Sequence, residues 1–211
     1  MRTIRNLRAA AVITGLSLTL LGCQAGDSAR SEAKALKPVA IPAGAQVSTA
    51  PNELPSWLIP NMDEAAEAYY GPDSEHLIAQ VKSPLAVKSP RGMSGFLTKT
   101  FTDAGTDIVL VNDKGWDACS YFFPDGKRLV WTSIKDNMNM PLGNWSDWRN
   151  YPQGAELYVS DRQGKNVKRL TDGVGYDGGA FFSPDSKMIV YRRSTPTSPA
   201  EVARYKDLLA R

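Results

Sequence analysis

One histidine and two cysteines in 211 residues leave little material for catalysis. No cluster of His, Cys, Asp or Glu has zinc-ligand spacing, and no glycine-rich loop leads from strand to helix to hold a phosphate. The Gly-x-Ser-x-Gly elbow of a serine hydrolase is missing as well, since "RGMSGF" at 91–96 has the wrong spacing. The lone histidine, His76, stands on a strand pattern where a polar residue faces solvent. Aspartates at 113, 117, 125, 161, 172, 177 and 185 coincide with turn signals, where Asp bonds its own backbone. These absences point to a protein that is not an enzyme and that needs no metal or other cofactor.

Excess charge is also lacking. Lys and Arg total 25 against 22 Asp and Glu, but Arg2, Arg5 and Arg8 precede an apolar stretch, "AAAVITGLSLTLLGC". That stretch is too short to span a bilayer and has the layout of a secretory signal, residues 1–22. Without its three arginines the chain carries 22 charges of each sign, so a basic surface for nucleic acid is excluded. The chain has only two cysteines, Cys23 and Cys119, and were Cys23 modified, Cys119 would have no partner for an internal disulfide. Cys119 then reads as a small core residue or as a thiol in need of a base that the chain does not supply.

What the chain has is a repeated phrase. "YFFPDGKRLVW" begins at Tyr121, "FFSPDSKMIVY" at Phe181, and a weaker copy, "YYGPDSEHLIAQ", at Tyr69, which puts Pro72, Pro124 and Pro184 at intervals of 52 and 60 residues. Periodic self-similarity of this kind marks repeat architectures. Proline presets φ for a turn, the aspartate bonds the backbone beyond it, and β-forming runs flank both, so each copy predicts a hairpin. "AELYVSDRQGKNVKRLT", residues 155–171, predicts a second hairpin, with its turn at Asp161–Gly164. "TDIVLVNDKG", residues 106–115, is read as its counterpart. Only eight residues separate Gly115 from Pro124, against nineteen between Gly164 and Pro184, so a shortened strand is expected before Pro124.

These phrases resemble the Pro-Asp β-propeller repeat of the TolB-like, WD40-like propellers, strongly over residues 117–133 and 154–193 and faintly over 62–83. The resemblance implies an all-β fold, a partial β-propeller of about three four-stranded antiparallel blades over residues 61–195. Closed propellers need at least ~4 blades, so truncation, pairing of two half-propellers, or an atypical β-sheet domain are the alternatives.

Around this domain, Leu20, Leu21, Gly22 and Cys23 resemble a bacterial lipobox, which implies a lipid on Cys23 and a membrane-anchored lipoprotein of the cell envelope. Gln24 resembles the sorting signal for an outer membrane, with the domain facing the periplasm. Residues 23–60 are rich in Ala, Pro, Ser and Gly and read as a flexible linker, or, near Val39–Ile41 and Trp57–Ile59, as a clasp laid on the blades. Residues 196–211 predict a short amphipathic helix, with Ser198 as N-cap, Pro199 at its first position, Glu201 completing a capping box, and Val202, Tyr205, Leu208 and Leu209 on one face.

Candidate binding residues lie in loops. "IKDNMNMPLGNWSDWRNYPQG" is longer than a blade connection needs, and Trp145, Trp148 and Tyr151 recur at every third position within it. They read either as a cap over the blade or as a platform for a sugar or peptide. In "GYDGG", residues 175–179, which resembles the family's inner loop, Tyr176 and Asp177 are expected at the channel mouth or as structural residues. The functional expectation is a noncatalytic envelope lipoprotein whose propeller binds an envelope protein or peptidoglycan. The alternative is the accessory propeller of a prolyl-oligopeptidase-like serine peptidase.

Overall fold

The computed structural model describes residues 41, 43–48, 51, 56–88, 95–140 and 153–210. The three Pro-Asp phrases fold alike, down to individual hydrogen bonds. The amides of Ser74, Gly126 and Ser186 close the turns by donating to the carbonyls of Gly71, Phe123 and Ser183 at 3.0, 2.9 and 2.8 Å. All three closing residues are left-handed, at φ 58, 66 and 58°. Asp73, Asp125 and Asp185 each accept, through Oδ1, from the amide two residues on, at 3.1, 2.8 and 3.1 Å. Pro fixes the first corner and Asp satisfies the amides that the turn leaves free, which is why the phrase recurs.

Each turn joins the first two strands of a blade. In the first blade β3 (Ala65–Tyr70), β4 (His76–Lys82), β5 (Phe96–Thr102) and β6 (Val109–Leu110) form one antiparallel sheet. In the second, β7 (Asp117–Phe122), β8 (Arg128–Ser133), β9 (Glu156–Asp161) and β10 (Lys168–Arg169) repeat that order. The third has two strands among the described residues, β11 (Tyr176–Phe182) and β12 (Ile189–Ser194). A two-stranded ribbon, β1 (Val47–Ser48) with β2 (Ser56–Trp57), precedes them.

The first strand of every blade carries a bulge, between Ala66 and Tyr69, Ala118 and Tyr121, and Gly178 and Phe181. Its left-handed residues are Glu67, Cys119 and Gly179, at φ 51, 42 and 66°. These too stand 52 and 60 residues apart. The extra residue bends the strand and turns its N–H out of the ladder.

The structure corrects the strand expected to be short. β7 is full length. The true counterpart of Gly164 is Gly105, not Gly115: both are left-handed at the β5–β6 and β9–β10 turns, at φ 68 and 70°. Eighteen residues separate Gly105 from Pro124, matching the nineteen after Gly164. Gly115 instead matches Gly175, in the connection that leads into the next blade.

Successive blades pack face to face. Ile78 of the first blade meets Phe122, Leu129 and Trp131 of the second, with Tyr69 against them. Val130 and Leu157 of the second meet Ala180 of the third, with Ile189 and Tyr191 at the margin. The face of the first blade that points away from the second holds Leu77, Ala79, Val81 and Phe101, and Ile59 and Met62 lie on it. The end of the expected linker, at Ile59, therefore lies against the blade, and Asn61 just after it donates to the Gly105 carbonyl at 3.2 Å. The C-terminal helix α1 (Pro199–Leu209) has the expected capping box between Ser198 and Glu201. Its Tyr205 is buried and donates to the Gly173 carbonyl at 3.1 Å.

Candidate functional site

The Pro-Asp turns leave one end of the blades to short, tight connections and the other end to long ones. The β4–β5 loop, residues 83–95, and the β8–β9 loop, residues 134–155, both emerge at that second end. Each is pinned where it leaves the sheet. Ser83 N donates to Gly95 O at 3.0 Å. Asn137 Nδ2 donates to Gly154 O at 2.7 Å. Both loops also lean on the blade connections, through Val87 N to Gly115 O at 2.8 Å and Gly154 N to Gly175 O at 2.6 Å. Long loops with closed feet on a rigid sheet are the usual carriers of binding.

At the end of the blades where these loops leave the sheets lie two buried carboxylates, Asp117 and Asp177, each at the start of its blade's first strand. Asp117 accepts from Thr98 N and Thr98 Oγ1, both at 2.8 Å, and from Asn112 Nδ2 at 2.8 Å, which ties the first blade to the second. Burial pushes its carboxyl up to about 6 in spite of those donors and Ser133. Asp177 receives a two-pronged contact from Arg193, at 2.7 and 2.6 Å. Beside it, buried Glu156 pairs with Arg169 at 2.8 Å and accepts from Thr171 Oγ1 at 2.6 Å. Burial raises the Glu156 carboxyl against these partners.

The expected site residues are therefore placed as follows. Tyr176 and Asp177 are 3 % and 2 % exposed, so they form part of a buried floor at this end of the blades and do not present an open face. Tyr176 packs with Ile134 and Ala155, with Trp116 at the edge. Trp145, Trp148 and Tyr151 lie outside the described residues, as does Cys23. Asp117 and Trp116 were missed as partners in this floor. The signal was present, because "GWDAC" at 115–119 aligns with "GYDGG" at 175–179 once the interval of 60 is applied.

The carboxylates of this floor are buried and enclosed by donors, Thr98 and Asn112 at Asp117, Arg193 at Asp177, and Arg169 and Thr171 at Glu156. Cys119 is half-buried in the bulge, where its amide donates to Glu67 Oε2 at 2.7 Å. Burial and the adjoining Glu67 carboxylate push its thiol up to about 12. A thiol held protonated is a poor nucleophile. His76 is tied to Asp73, Nδ1 to Oδ2 at 2.9 Å.

At the opposite end the three Pro-Asp hairpins frame an open cleft of about 300 Å³, lined by Tyr70, Pro72, Tyr121, Phe122, Phe181 and Phe182. A ladder of rings runs through all three blades, with Tyr69 4.3 Å from Tyr121 and Tyr121 4.1 Å from Phe181 between ring centroids, and Tyr121 and Phe181 line the cleft.

No family model matches the chain, and no curated protein matches it. Among solved structures it is similar to a chain in the crystal structure of a nidogen/laminin complex, at 13 % identity over 66 % of this chain and 44 % of that one, with a TM-score of 0.45. It is also similar to TolB from Acinetobacter baumannii, at 16 % identity over 69 % of this chain and 42 % of that one, with a TM-score of 0.37. The chain thus spans less than half the length of either. The fold is propeller-like. That statement rests on the blade order, the repeated hairpins and the face-to-face cores described above.

Proposed function

We propose that this is a noncatalytic lipoprotein of the cell envelope, built on TolB-like Pro-Asp propeller repeats, that binds a protein or peptidoglycan partner through its long loops. The observation that carries the reading is the pair of loops pinned at their feet, at 3.0 Å by Ser83 and Gly95 and at 2.7 Å by Asn137 and Gly154. A floor whose buried acids are engaged by donors of the chain itself supports presentation of a surface. The second loop carries Trp145, Trp148 and Tyr151, rigid rings of the kind that anchor interfaces. The phrase "LLGC" before residue 24 supplies the anchor, and Gln24 directs the domain to the periplasmic side of an outer membrane.

Two measurements test this. Incorporation of labelled palmitate into the wild-type chain and not into Cys23→Ser, with loss of the variant from the membrane fraction, is the expected result; equal labelling of both overturns the anchor. For binding, purified sacculi and in-cell crosslinking are compared between wild type and a Trp145→Ala/Trp148→Ala variant of unchanged melting temperature. Loss of the captured partner is expected, and unchanged capture overturns the loop assignment.

A further inference from the structure

Repeat equivalence extends to the β5–β6 and β9–β10 turns, which close in the same way. Gly105 N donates to Thr102 O at 2.9 Å and Gly164 N to Asp161 O at 3.1 Å, while Thr102 N and Asp161 N donate to Thr106 O and Lys165 O. Asp103 and Arg162 are therefore equivalent positions, each two residues before the turn glycine. Tyr70 and Phe122 are equivalent too, as the last residues of β3 and β7, opposite Leu77 and Leu129.

The second blade shows what this corner does. Arg162 reaches over the Phe122 ring, its guanidinium carbon 5.4 Å from the centroid, and its Nη1 donates to Asp73 Oδ2 at 3.2 Å. Ring, cation and carboxylate make one three-part contact. Arg128 does the same at the next ring, 4.0 Å from the Phe123 centroid with its Nε bonded to Asp125 at 2.8 Å. In the first blade the ring is Tyr70, and a carboxylate, Asp103, stands where Arg162 supplies the cation. Burial and the adjoining Asp103 carboxylate hold the Tyr70 hydroxyl above its ordinary range, so this acid lies near the ring. Among the described residues no cation lies over Tyr70 and none pairs with Asp103. Phe122 is 9 % exposed and Tyr70 50 %. Ile59 and Met62 cover Leu77 and Phe101 on that side of the blade and leave Tyr70 half exposed, at the lining of the open cleft.

We propose that Tyr70 and Asp103 form a recognition site for an arginine side chain of a partner peptide, its guanidinium lying on the ring and pairing with the carboxylate. The incoming group completes the contact that Arg162 completes in the second blade. Charge selects this occupant, because a carboxylate beside an exposed ring attracts a cation and repels an acidic ligand. Arginine fits better than lysine, since a planar guanidinium stacks on a ring and meets a carboxylate at the same time. This inference rests on the repeat geometry and not on the long loops or the lipid.

The test uses the full chain in an uncharged detergent and a fluorescein-labelled peptide of three arginines, read by anisotropy at low salt. The same peptide with citrulline in place of arginine is the neutral isostere. The expected result is saturable binding of the arginine peptide, at least about tenfold tighter than the citrulline peptide. Asp103→Asn and Tyr70→Ala each weaken it about fivefold, and Tyr70→Phe, which keeps the ring, leaves it unchanged. Asp103→Arg supplies a guanidinium of the chain's own, as Arg162 does at Phe122, and abolishes binding. Absence of saturation up to about 1 mM overturns the proposal, as does equal binding of the citrulline peptide or unchanged binding by Asp103→Arg. If Tyr70→Ala loses its far-ultraviolet β signal, the isosteric Asp103→Asn decides in its place.

Discussion

The amide of Cys119 donates to the carboxylate of Glu67 at 2.7 Å, and the two residues hold the same left-handed bulge position in adjacent blades. One repeat thus uses its bulge to reach the bulge of its neighbour. A cysteine at φ 42° is strained, and the contact it makes is through its backbone.

Replacement of Cys119 should therefore depend on backbone fit and not on thiol chemistry. Cys119→Gly keeps the amide and tolerates positive φ, so its stability in urea should stay within about 1 kcal/mol of wild type. Cys119→Val, β-branched at the same φ, should lose on the order of 2 kcal/mol. The native thiol should react with a disulfide reagent far more slowly than after unfolding, as expected for a thiol pushed up to about 12.

At Gly164 the backbone is left-handed at φ 70°, and an added Cβ would stand 2.4 Å from the carbonyl oxygen of Val111. Gly164→Ala should cost about 2–3 kcal/mol in denaturant unfolding, because both the φ and the close approach oppose it. Gly126→Ala, with no atom nearer than 3.7 Å, should cost less.

The Pro-Asp turns predict a graded series. Asp125→Ala removes the acceptor for the Lys127 and Arg128 amides, at 2.8 and 3.2 Å, and should lower stability by on the order of 1 kcal/mol. Asp73→Ala should cost more in thermal unfolding, since Asp73 also accepts from Arg162 of the second blade at 3.2 Å.

Stability should fall as pH rises from about 4 to about 6. Burial raises the Asp117 carboxyl from 3.8 to about 6, so the folded chain holds a proton there that the unfolded chain has released. Its stabilising effect is complete below 3.8 and is lost as pH climbs through 6. Asp73 acts in the opposite sense: its turn hydrogen bonds outweigh burial and pull it down to about 2, so its contribution is lost only in stronger acid. A melting-temperature profile from pH 4 to 7 should show the Asp117 slope, and Asp117→Asn should flatten it.

Much of this molecule was legible in the chain because turn chemistry is local. "PDG" and "PDS" specify three turns through residues no more than five apart, and "SPAE" specifies a helix start in the same way. The alignment of Gly115 with Gly164 failed because "VNDKG" and "VSDRQG" look alike, while the position that matters is defined by a left-handed φ and the approach of another strand. Sequence by itself determined the repeat, its hairpins, the capped helix and the neutrality of the folded part. Only the tertiary structure decided that Tyr176 and Asp177 lie in a buried floor, that Cys119 sits in a bulge, and that Val190 is exposed where Ile78 and Val130 are covered. Burial is a property of what lies across the blade, from residues 50 to 60 positions away, and no local phrase encodes it.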